Sequence, residues 1–100
     1  MKKSTKSYQE DLLKRLQDPD YAAEYLNAAL IDEDPAVFLT ALKDIADAQG
    51  ISVAKIAKKT HLNRESLYRT LSEKGNPRLH TLCLILDALG LHLSVTAAAA

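Results

Sequence analysis

Apolar side chains recur along this chain at intervals of three and four, and proline, glycine or a short polar residue interrupts the pattern about every dozen residues. That spacing predicts helices. The first runs from Tyr8 to Leu16, with Leu12, Leu13 and Leu16 on one side, until Asp18-Pro19 breaks it. Asp20 is then placed to cap YAAEYLNAALI, in which Tyr21, Tyr25 and Ala28 or Ala29 share a face. After the break at IDEDP, Asp34 as N-cap and Pro35 in the first helical position start AVFLTALKDIADAQ. Phe38, Leu39, Leu42, Ile45 and Ala46 form its inner stripe, and Gly50 supplies the left-handed residue that ends it.

The second half of the chain is more finely divided. Ser52 can cap VAKIAKK, whose inward residues are Val53, Ile56 and Ala57, and Thr60-His61-Leu62 is a tight connection. Asn63 caps RESLYRTLSE, with Leu67 and Leu71 inward, and Gly75 stops it. Asn76-Pro77 opens RLHTLCLILDAL, which Gly90 ends. In this last helix Leu79, Leu82, Leu86 and Leu89 make one face, while Cys83, Leu84, Ile85 and Ala88 widen it. A helix apolar over so much of its circumference is buried on two sides, and in a small domain the second side implies a subunit interface. LHLSV then alternates, so Leu91, Leu93 and Val95 would face one way in a short strand. Such a strand needs a partner, either its symmetry mate or the edge of another protein's sheet. The expected dimer face is thus Cys83, Leu84, Ile85, Ala88, Leu91, Leu93 and Val95.

The pattern sets the organisation: residues 1–7 as a disordered polar arm, 8–95 as one all-α domain, and 96–100 as a tail. One hundred residues, 47% hydrophobic with three glycines and three prolines, suit that reading. Cys83, the single cysteine, cannot form an internal disulfide, and neither a secretory leader nor a run long enough to span a bilayer is expected. A reducing, cytoplasmic setting follows as the expectation, without a membrane role.

Charge adds what hydropathy hides. The formal net charge is zero, yet residues 21–50 carry one Lys/Arg against six Asp/Glu, and residues 51–80 carry seven against two. Two opposed fields on one small domain suggest two partners of opposite charge, or two segments that attract each other. Catalysis has little support. His61, His80 and His92 fit no metal-binding spacing, no glycine-rich phosphate loop occurs, and Cys83 lies in an apolar helix; no enzyme activity, metal or cofactor is expected.

Two short helices joined by a tight turn at about residues 52–73, the second with exposed basic residues, make a helix-turn-helix pattern. A major groove admits one helix, and Arg64 and Arg69 suit guanine O6 and N7. Glu65 either accepts from a cytosine amino group or pairs with Arg69 four residues on, and Asn63 either caps the helix or reaches a base. The base-reading candidates are therefore Asn63, Arg64, Glu65 and Arg69. Around them Ser52, Lys58, Lys59, Thr60, Tyr68, Lys74, Asn76 and Arg78 are candidate phosphate contacts, which set register and salt dependence.

These residues carry a family resemblance. GISVAKIAKKTHLNRESLYRTLSEKGNPRLHTLCLILDALGL resembles the phage-repressor, or Xre-type, helix-turn-helix. More narrowly, YLNAALIDEDPAVFLTALKDIADAQG followed by NRESLYRTLSEKGNPRL resembles the HigA-like antidote proteins of addiction modules, over roughly Tyr8 to Val95. The resemblance implies a compact five-helix DNA-binding antitoxin that forms a homodimer on double-stranded operator DNA. It also implies repression of its own operon and neutralisation of a basic, RelE/HigB-like ribonuclease toxin. Base contacts implied by the repressor pattern fall on Asn63, Arg64, Glu65 and Arg69, the residues already chosen. Glu24, Asp32, Glu33, Asp44 and Asp47 become candidate toxin contacts, although the acidic segment also fits an ordinary charged outer face. Two positions depart from the repressor pattern: His61 stands where glycine is usual in the turn, and Val53 where a glutamine often opens the first motif helix. A stand-alone repressor without a toxin remains the alternative.

Overall fold

The computed structural model describes residues 5–72 and 74–99, with side chains from Ser7 onward. Six helices follow one another: α1 (Thr5–Arg15), α2 (Pro19–Ile31), α3 (Pro35–Ala48), α4 (Val53–Thr60), α5 (Arg64–Thr70) and α6 (Leu79–Ala88). The count among the described residues is six, one more than the five-helix build that the resemblance implies. Helix α1 also starts earlier than expected and takes in Thr5, Lys6 and Ser7; the rest of the expected arm, residues 1–4, lies outside the described residues, as does Ala100 of the tail.

Short polar residues set the starts of α2, α3, α4 and α5, whereas α6 begins after Arg78 without a side-chain cap. Asp34 accepts the Ala36 N–H (3.0 Å), Ser52 the Lys55 N–H (3.1 Å) and Asn63 the Ser66 N–H (2.9 Å). Each such cap is worth about 1 kcal/mol. At α2 the cap is Asp18, which accepts the Asp20 N–H (3.0 Å), and Pro19 fills the first helical position. Asp20 is therefore in the first turn and not the cap. A proline costs nothing at a position whose N–H has no intrahelical acceptor, so the helix reaches back over it.

Gly50 and Gly90 end α3 and α6 in the same way. Each has positive φ (69° and 78°), its own N–H returns to Asp47 or Asp87, and the next residue's N–H reaches Ala46 (2.9 Å) or Leu86 (2.8 Å). This is the Schellman arrangement, and it folds the following apolar residue back onto the helix. Ile51 and Leu91 accordingly pack against the core. At Leu91 that hydrogen bond contradicts the expected strand: residues 91–99 are irregular, and no strand occurs among the described residues. With Leu91 drawn back to α6 and no neighbouring edge to pair with, alternation alone cannot make a ladder.

Helix α3 packs against α1 and α2, while α4 packs against α5 and α6. Leu42, Ile45, Ile56, Leu67, Ile85 and Leu86 are at most 1–2% exposed and join Leu16, Leu26, Phe38, Leu39, Leu71 and Leu89 in one core. Each large aliphatic side chain buried this way stabilises the fold by roughly 1.5–3 kcal/mol. Gln49 links the two halves, donating to the Leu89 carbonyl at 2.7 Å. The two sides of α6 divide differently from the expectation. Ile85 is 1% exposed and belongs to the core, which removes it from the expected dimer face, whereas Leu79 is 68% exposed. Cys83, Leu84, Ala88 and Leu91 are half-buried, and Leu93 and Val95 are exposed.

Candidate nucleic-acid interface

Helices α4 and α5 are joined by His61, Leu62 and Asn63. His61 adopts φ 61° and ψ 25°, and is the single positive-φ residue other than glycine among those described. A non-glycine residue in this region is uncommon, and histidine is among the types enriched there. The turn is held from inside. The Thr60 hydroxyl donates to the Ile56 carbonyl (2.7 Å) and accepts the Leu62 N–H (3.3 Å). Leu62 packs against the core and Leu67 is buried at 1%, so one side of α5 is fixed against the body of the protein.

The other side is left to solvent. Arg64, Glu65, Ser66, Tyr68 and Arg69 are all exposed. The Arg64 guanidinium lies 6.0 Å from the centre of the ring of Tyr68, one turn further along the helix, at the outer limit of a cation–π contact. Glu65 and Arg69 are not paired: among the described residues the ion pair is Asp11–Arg15, at 3.1 Å. Asn63 spends its side-chain oxygen on the cap, which leaves its amide NH2 as a donor.

Of the residues expected to meet phosphate, Ser52, Lys58, Lys59, Tyr68, Lys74, Asn76 and Arg78 are exposed and Thr60 is half-buried. Both hydrogen-bonding roles of the Thr60 hydroxyl are taken up in the turn, so a phosphate would have to displace a bond already made. Lys59 sends its ammonium to within 3.5 Å of the Ala88 carbonyl, at the C-terminal end of α6, where the helix dipole is negative. Lys58 has no such tether among the described residues. Lys55 was missed by the sequence reading. It is exposed on α4, and its spacing of three and four residues from Lys58 and Lys59 puts the three ammonium groups on neighbouring positions. That spacing is visible in AKIAKK.

The acidic candidates are spread over two helices and the loop between them. Glu24, Asp32, Glu33 and Asp47 are exposed. Asp32 accepts the Asp34 N–H at 2.8 Å, and Asp34 itself caps α3. Asp44 is half-buried and accepts the Tyr25 hydroxyl at 2.9 Å. Burial and that hydrogen bond push the Tyr25 phenol up to about 12. No group of three or more His, Cys, Asp or Glu among the described residues is placed to hold a metal ion. His61, His80 and His92 are exposed, in the turn, on α6 and after α6. No helix among the described residues is long and apolar enough to cross a membrane.

Comparison with known proteins places this arrangement in context. The family model described as "probable addiction module antidote protein" matches residues 6–97. An uncharacterized protein of Haemophilus influenzae is 35% identical over 85 residues, which is 85% of this chain and 86% of that protein. No solved structure matches.

Proposed function

The chain belongs to the family of probable addiction module antidote proteins, and from that premise we propose that it is a HigA-like antitoxin that binds duplex DNA. In this reading α4 and α5 form an Xre-type helix-turn-helix, and α5 enters the major groove of the operator of its own operon. The observation that carries the DNA-binding half is the division of α5: Leu67 is buried, while Arg64, Glu65, Tyr68 and Arg69 are exposed and no acid pairs with either arginine among the described residues. Guanidiniums that no described acid pairs, carried on the exposed side of a helix, offer the bidentate donors that guanine O6 and N7 accept. Asn63 adds its amide NH2, and Glu65, not being held by Arg69, is available to a cytosine amino group. Lys58, Lys74 and Arg78, joined by Lys55, follow the phosphates, with Ser52 and Asn76 as neutral partners.

A twofold homodimer would set two copies of α5 in successive major grooves, with half-site centres roughly 34 Å, or about 10 base pairs, apart or at a multiple. The half-buried Cys83, Leu84, Ala88 and Leu91, continued by the exposed Leu93 and Val95, are the surface for that dimer once Ile85 is assigned to the core. The toxin partner is a RelE/HigB-like ribonuclease, met by the acidic residues of α2 and α3. Mobility shift of the upstream promoter, without and with the protein encoded by the adjacent reading frame, tests both halves. A specific shift, and a complex that restores growth on co-expression, are expected. No shift removes the DNA reading; no complex with the neighbour removes the antitoxin reading.

A further inference from the structure

A second surface lies between α2 and α3, and it shares no residue with the basic set. Tyr25, Ala28 and Ala29 on α2 and Ala36, Val37, Thr40 and Ala41 on α3 line a cavity of about 430 Å³ that is open to solvent. The opening has a simple origin. Four of its seven lining residues are alanines, so the ridges that would normally fill the space between two packed helices stop at Cβ. Val37 is 39% exposed along it, and Ala28 and Thr40 are exposed. One end is fixed by the Tyr25–Asp44 hydrogen bond.

The charge beside the groove is negative. Glu24 precedes Ala28 by one turn on α2, and Asp44 and Asp47 follow Thr40 by one and two turns on α3. Lys43 is the one cation in residues 21–50, against six acids. A shallow apolar slot with an acidic border selects a segment with an apolar ridge flanked by Lys or Arg. A ribonuclease must hold a polyphosphate chain and so carries clustered cations of its own. We propose that the α2–α3 groove is where the toxin docks, inserting an apolar ridge against Ala28, Val37 and Thr40 while its flanking cations meet Glu24, Asp44 and Asp47. This rests on the antitoxin reading above. It gives the two opposed charge fields separate partners, since the DNA candidates all lie from Ser52 onward.

The probe is the protein encoded by the reading frame beside this chain's gene, purified and titrated calorimetrically against the full chain. Ala28→Trp and Thr40→Trp fill the slot from exposed positions, and the double variant Glu24→Lys/Asp47→Lys reverses the border. Each should weaken the complex by about tenfold or more, as loss of a central interface contact does. Helicity, melting temperature and promoter shift should stay at wild-type values, and Arg64→Ala should retain toxin binding while weakening the promoter shift. A wild-type complex that all three groove variants form equally well overturns the groove assignment and leaves the antitoxin reading standing. Groove variants that change the mass of the isolated chain but still bind the probe overturn it too, by assigning the slot to a second copy. A wild-type chain that does not bind the probe overturns both.

Discussion

The α4–α5 pair and the α2–α3 pair carry charge of opposite sign, but they differ more in how that charge is used. On α2 and α3 part of the acid is spent inside the chain: Asp34 caps α3, Asp32 accepts a loop N–H, and Asp44 holds Tyr25. On α4 and α5 the internal work falls mostly to neutral groups, Ser52, Thr60 and Asn63, with Lys59 alone among the cations reaching a backbone carbonyl, and the guanidiniums stay free of acids among the described residues. Residue counts show two fields of equal size. The hydrogen bonds show one field largely available to a partner and another partly committed to the fold.

The sharpest way to break this contrast is to unseat α5 itself. Leu67→Ala removes a side chain that is 1% exposed, and should cost about 2–5 kcal/mol in a denaturant melt and abolish DNA binding with it. Arg64→Ala and Arg69→Ala should leave the melt unchanged and weaken binding to the cognate promoter by about 1–3 kcal/mol each. Asn63→Ala should reduce stability by about 1 kcal/mol through loss of the cap, whether or not its amide reaches a base.

Tyr25→Phe tests the other side, with a loss of about 0.5–1.5 kcal/mol near neutral pH. The phenol is raised from 10 to about 12 in the folded chain, so its contribution is complete below pH 10 and is lost as pH climbs to 12. The stability difference between wild type and Tyr25→Phe should therefore shrink across that window; a constant difference would show that the phenol does not hold its proton in the fold. The smallest effect distinguishes two neighbours. Lys58→Ala should reduce the salt slope of DNA binding by about 0.9, and Lys59→Ala by less, because Lys59 already reaches toward the α6 carboxyl end.

How far the sequence could be read depended on whether the cause was local. Caps at Asp34, Ser52 and Asn63 and the stops at Gly50 and Gly90 were legible, because a side chain two or three residues from its N–H, or a glycine at a helix end, acts alone. The inner stripes of α3, α4 and α5 were legible for the same reason. One failure was local, since Asp18 and not Asp20 caps α2 with Pro19 inside the helix; the others came where a neighbour decides. Alternation in LHLSV predicted a strand, but the Schellman turn at Gly90 takes the Leu91 N–H back to Leu86. On α6, which is apolar on most of its circumference, periodicity could not tell which side faces the core, so Ile85 and Leu79 were misassigned. At the candidate site, the residue types and their exposure on α5 could be anticipated. The turn's use of the Thr60 hydroxyl and the approach of Arg64 to the Tyr68 ring could not, since both depend on side-chain torsions. The α2–α3 slot was invisible for a related reason: alanines read as good helix formers, and only the packed pair reveals the space they leave.

The most direct measurement is fluorescence anisotropy of the wild type and of Arg64→Ala on the protein's own promoter and on a scrambled duplex of the same length, at two salt concentrations. The account predicts that wild type prefers the promoter, that Arg64→Ala loses most of that preference, and that both keep a similar salt-dependent affinity for scrambled DNA. Equal losses on the two duplexes, or a wild type that does not distinguish them, would contradict the claim that the exposed side of α5 reads bases.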